Sequence, residues 1–131
     1  MPAKETYEYA VIRLVPRVER EEFLNVGVIL YAKRHRYLDM RFELDKDRIT
    51  AFAPEVDISE IEQYLNGWVA VCEGAPHGGR IGQLEQHLRF RWLVAARSTI
   101  LQSSRTHPGI GDDPAAVLER LFVQLVGRRD L

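Results

Sequence analysis

The chain holds one cysteine, Cys72, in 131 residues. It therefore has no internal disulfide and no thiolate metal cluster. Long apolar runs are missing as well. No stretch approaches the ~20 residues that a membrane-spanning helix needs, and the opening MPAKETYEYA lacks the apolar stretch of a secretory leader. No membrane association is expected, and the expected location is the cytoplasm. Excess positive charge is also absent. The formal net charge is −1, whereas general nucleic-acid binders are usually basic, so that class is set aside. Signatures of common chemistry are missing too. No serine stands in a Gly-x-Ser-x-Gly elbow, and GAPHGGRIG lacks the Gly-Lys-Ser/Thr ending of a phosphate loop. His35, His77, His87 and His107 show no paired-ligand spacing, and Asp112-Asp113 reads first as a helix cap. No catalytic residue, metal site or cofactor is assigned; whether the protein is an enzyme stays open.

What is there describes a single folded domain over residues 1–131. With 46% hydrophobic and 28% charged residues, the chain can build one core without staples. Its charge is uneven. Asp39 to Glu62 carries eight acids against three bases, and Arg80 to His107 carries five arginines and two histidines against Glu85 alone. Blocks of this kind are most simply two solvated faces, one acidic and one basic.

Periodicity predicts an α+β fold. Strands are expected near 6–15, 22–32 and 36–44, joined by short connections that suit an antiparallel meander. A fourth is expected at 98–104, giving a mainly antiparallel sheet of about four strands. Asp45 is placed to cap a short helix ending before Pro54. Asp57 with Glu60 three residues on opens a helix over 57–73, closed by Gly74. Asp113 followed by Pro114 opens the last, over 113–127. Residues 83–94 fit either period: Leu84, Leu88 and Leu93 suit a helix, while Leu88, Phe90 and Trp92 alternate like a strand. Helix is the reading adopted.

The strand period of two then sorts side chains by face. Ala10, Ile12, Leu14, Leu24, Val26, Val28, Leu30, Leu38, Met40 and Phe42 fall together and are expected to meet the 57–73 and 113–127 helices on that one face. The opposite face carries Tyr9, Arg13, Asn25, Ile29, Tyr31 and Tyr37. Aromatic rings with polar tips beside arginine are common at interfaces, so Tyr9, Tyr31 and Tyr37 are candidates for contact with another chain. Gly27, inside a strand, marks a bulge or a close backbone approach; a bulge would shift the faces beyond it.

Four ordered stretches carry a resemblance. YEYAVIRLVP, EEFLNVGVIL, RFRWLVAARSTILQ and GDDPAAVLERLF are similar, over nearly the whole chain, to an uncharacterised bacterial group, domain-of-unknown-function family 3037. The resemblance implies no activity, substrate or cofactor. It directs attention to Arg13, Asn25, Gly27, Arg97, Ser98, Thr99 and Asp112. Members encoded beside a toxin-type serine-kinase homologue imply a kinase-like protein as one partner.

Two functions follow. The first is a non-catalytic interaction or regulatory module that binds a protein, another or a second copy of itself, through the outer sheet face. The second is a small phosphate- or nucleotide-binding domain or enzyme, with Arg13, Asn25, Arg97, Ser98 and Thr99 forming an anion site. Against the second, Arg97 is also expected to pair with a structural acid, Asp112 first.

Overall fold

The alternating TYEYAVIRL forms the middle of the sheet. In a computed structural model, which describes residues 4–127, strand β1 (Glu5–Leu14) pairs antiparallel with β2 (Leu24–Ala32), and β2 pairs antiparallel with β3 (Tyr37–Phe42). The predicted meander is present. Along its other edge, β1 meets two short strands in line. Its C-terminal end pairs with β4 (Leu101–Ser103) and its N-terminal half with β5 (His107–Gly111), both antiparallel. The α+β class with a mainly antiparallel sheet therefore holds, with five strands.

The helices start where side-chain caps were expected. The carboxylates of Asp45, Asp57 and Asp113 accept the backbone N–H of Arg48, Glu60 and Ala116 at 3.2, 3.3 and 3.2 Å. These caps open α1 (Lys46–Phe52), α2 (Ile58–Glu73) and, at the C-terminal end, the Pro114–Leu125 helix. Between them lie α3 (Gly79–Gly82) and α4 (Gln86–Val94), which makes the Pro114–Leu125 helix α5. No helix among the described residues is long and apolar enough to cross a membrane.

The bulge anticipated at Gly27 is present, and the face assignment fails beyond it. Ile12 stands opposite Gly27 but Arg13 opposite Asn25, so Val26 is an extra residue in β2. A one-residue bulge reverses every side chain beyond it. Val28, Leu30 and Ala32 consequently turn away from Ile12 and pack with Leu118, Leu121 and Phe122 of α5. Ile29 and Tyr31 take their place beside Ile12, Met40, Leu65 and Phe90. Helices α2 and α5 thus lie on opposite faces of the sheet, not on one. Gly27 is needed for space: a Cβ there would sit 2.8 Å from the Arg41 carbonyl oxygen and 3.1 Å from Ile12 Cδ1.

β5 escapes the sequence reading because His-Pro-Gly-Ile-Gly looks like a turn. The ring of Tyr7 lies across Gly109, where a Cβ would come within 2.2 Å of Cζ. The join between β4 and β5 is made by Ser104. Its N–H donates to the Val11 carbonyl at 2.8 Å, and its hydroxyl oxygen accepts the Val11 N–H at 2.9 Å. A side chain here replaces a missing rung of the ladder.

Candidate functional site

Helix α4 is apolar on two sides. Phe90 and Leu93 are fully buried against the sheet layer. Leu88 and Trp92, one turn apart, are 43% and 37% exposed, and Leu84 in the preceding turn is 39% exposed. A surface helix normally turns charged residues outward, so the second apolar side calls for a contact. Trp92 is on the surface, not in the core. The signal was present in the double fit of residues 83–94 to helix and strand periods, since residues on both sides of the helix are apolar.

Trp92 also forms one wall of a groove of about 520 Å³ with Tyr64, Trp68, Arg97, Thr99, Ile100 and Leu101. Tyr64 and Trp68 stand one turn apart on α2; Arg97 to Leu101 come from the connection that leads from α4 into β4. The Arg97 guanidinium lies 4.9 Å from the Trp68 ring centre and 4.8 Å from that of Trp92. It donates one hydrogen bond to the Trp92 carbonyl oxygen. Burial lowers its pKa, yet arginine stays charged at any physiological pH. The Thr99 hydroxyl donates to the Leu101 carbonyl at 2.7 Å, and Ser98 is exposed. The expected pairing of Arg97 with Asp112 is absent. Asp112 is an exposed residue of the β5–α5 connection, whereas Arg97 is held by aromatic faces and by a neutral carbonyl.

The five-residue anion site divides. Arg13 and Asn25 are cross-strand neighbours on the α5 face, where the Asn25 amide nitrogen donates to the Leu125 carbonyl at 3.1 Å. Arg97, Ser98 and Thr99 lie on the α2–α4 side. The tyrosines divide too. Tyr31 is buried and stacked on Phe90 at 5.1 Å, while Tyr9 and Tyr37 pack against the α5 cluster. The single tyrosine surface does not form, because the bulge turns Tyr31 to the face opposite Tyr9 and Tyr37.

A larger cleft of about 770 Å³ opens beside Glu8, Tyr31, Lys33, His87 and Arg91. Its charges largely answer one another. Arg91 makes a forked pair with Glu8 at 2.8 and 3.1 Å, and His87 faces Glu85 at 3.4 Å. Among the described residues, no group of three or more His, Cys, Asp or Glu is placed to hold a metal ion.

Both outer edges of the sheet carry a guard against strand addition. On the outer edge of β3 the Asp39 carboxylate accepts the Met40 N–H at 2.8 Å, and Pro108 interrupts β5 with a residue that has no N–H; both are edge guards. With this geometry in place, a comparison adds the family. A model described as "Protein of unknown function (DUF3037)" matches residues 9–126. The chain belongs to that family. Within this DUF3037 chain the matched span covers β2 to β5 entirely and both walls of the Trp68–Arg97–Trp92 groove. No curated protein and no solved structure matches it.

Proposed function

We propose that this protein is a non-catalytic interaction module whose recognition surface is the outer side of α4 with the adjoining tryptophan groove. The observation that carries the reading is the arginine held between two tryptophans, with Leu88 exposed one turn before Trp92 on α4. Tryptophan, tyrosine and arginine are the residues that concentrate binding energy at protein interfaces. The partner is a short segment of another protein with apolar anchors for Leu88 and Trp92 and a carboxylate for Arg97. Charge supports the acid: Arg97 is a cation with no carboxylate partner, held by two rings and a neutral carbonyl. Size supports a segment over a second copy. Three or four exposed apolar side chains fall well short of the ~1,200–2,000 Å² that a stable protein–protein interface buries.

The protein supplies its own reporter, because both of its tryptophans line the groove. Selection of peptides from a random displayed library should enrich sequences that join bulky apolar residues to an acid. Titration of such a peptide should shift the tryptophan emission saturably. Leu88→Asp should abolish binding, while Val123→Asp, at an exposed apolar position on α5, should leave it intact. No enrichment, or binding indifferent to Leu88→Asp, would remove the reading.

A further inference from the structure

Arginines in this fold find acceptors wherever they are even half covered. Arg89 donates from Nε to the Leu84 carbonyl at 3.0 Å and from a terminal nitrogen to the carbonyls of Val71 and Cys72 at 2.9 and 2.6 Å. Arg97 has the Trp92 carbonyl. Arg13, also half-buried, is the exception among the described residues. Its guanidinium lies 4.2 Å from the centre of the Phe23 ring. Its Nε is shielded from water and has no acceptor, whereas the terminal nitrogens are not shielded.

The surroundings show that this is not a misplaced ion pair. Across the sheet Arg13 faces Asn25 on β2 and Gln102 on β4, amides on both sides and no acid. Both amide nitrogens are already engaged, with the carbonyls of Leu125 and Thr99 at 3.1 and 2.9 Å. The Leu125 carbonyl of α5 is thus engaged by Asn25. What remains is a cation fixed on the central strand, supported from below by an aromatic ring, with its donors unused. A buried polar group left without a partner is costly and calls for an explanation.

We infer that Arg13 forms an oxyanion site on the α5 face of the sheet, with Phe23 as its floor and Asn25 and Gln102 at its sides. The ligand class is a phosphate or carboxylate group, which the guanidinium fork matches in geometry and charge. The site is on the opposite face from the tryptophan groove and is joined to it through the Gln102–Thr99 hydrogen bond.

The test uses the intact protein at constant ionic strength, with inorganic phosphate alone and acetate alone as probes. Side-chain amide resonances of Asn25 and Gln102 are followed by NMR. A saturable shift with phosphate only, or with acetate only, assigns the oxyanion class. Arg13→Gln should weaken that response at least tenfold, and Leu88→Asp should leave it unchanged. If Arg13→Gln does not fold, Phe23→Ala, at an exposed position, should weaken the response several-fold. No saturable shift with either probe, or the same affinity in the folded variant, overturns the site. Because Leu88→Asp alters the exposed side of α4 and leaves Arg13, Phe23, Asn25 and Gln102 as they are, failure here and failure of the interaction module are separable.

Discussion

The two faces of the sheet are covered unequally. On one, Ile12, Ile29, Tyr31 and Met40 pack against a layer built from α1, α2 and α4, with Leu65, Phe90 and Leu93 fully buried in it. On the other, Val28, Leu30 and Ala32 meet α5 alone. The single helix is fastened at its sides by polar contacts. Arg41 pairs with Glu119 and lies 4.6 Å over the Phe122 ring, and Asn25 holds the Leu125 carbonyl. A many-helix layer can present a second apolar side outward, as α4 does, because its inner side already secures it. A lone helix has only its one apolar stripe, and that is spent on the sheet.

The largest expected effect breaks the thicker face. Phe90→Ala should destabilise by about 4 kcal/mol, since the ring is fully buried and enclosed by neighbours that cannot all collapse into its space. Leu118→Ala, beneath α5, should cost about 3 kcal/mol, because the edge of a one-helix layer relaxes more easily. Urea unfolding of both variants with unchanged m-values measures the contrast. Equal losses would mean that the two faces contribute alike, despite their different cover.

These two residues also show how far the sequence could be read. Leu118 lies on a stripe that begins at a capping aspartate and a first-turn proline, and such a helix declares itself. Its packing face did not follow, because that depended on one extra residue in β2. Gly27 signalled a bulge without giving its position, and the face of every later residue in that strand turns on that position. Arg97 illustrates a different limit. Its acceptor is a backbone carbonyl, and backbone carbonyls leave no mark in a sequence, so an acid was expected where none is present. The groove was illegible for a third reason: Tyr64 and Trp68 lie at helical spacing and Trp92 in a stretch that fits both periods, and neither pattern distinguishes a buried ring from one standing at a rim.

The next effect concerns β5, which joins the α5 face through Tyr7. Gly109→Ala should cost about 2 kcal/mol, because its methyl would displace the Tyr7 ring from the backbone it covers. Gly67→Ala in α2 is the matched control. Nothing lies within 4 Å of that position, and alanine is the better helix former, so about 0.5–1 kcal/mol of stabilisation is expected. Thermal melts of the pair have opposite signs if glycine is required at 109 by the ring and only tolerated at 67.

Smaller again is Arg97→Ala. A stranded carboxylate would have made this loss large, but the partner is a carbonyl that water can reach. The loss should be about 1 kcal/mol, the worth of an exposed cation over aromatic rings. Its tryptophan emission should shift to the red as Trp68 and Trp92 lose their cover. A loss several times greater would mean that the groove is a structural fastening of α4 to α2, and the contrast between the secured inner side and the free outer side of α4 would fail with it.

The smallest effect reports on the cover given by α5. The Tyr37 hydroxyl is pushed up to about 12, first by burial and then by the carboxylates of Asp39 and Asp113. The unfolded chain gives up this proton near pH 10, before the folded chain does, so folding favours the neutral phenol. The resulting stability is complete below about pH 10 and declines as the pH rises toward about 12. Tyr37 is only half-buried, and solvent screening keeps the contribution modest. Burial also raises the pKa of Tyr31 on the opposite face, so the slope in the wild type has contributions from both sides of the sheet. Tyr37→Phe should flatten the alkaline limb of a stability–pH curve in part, leaving the remainder to Tyr31. An unchanged slope in that variant would mean that α5 does not exclude water from the end of β3, and the thinner face would then be thinner still.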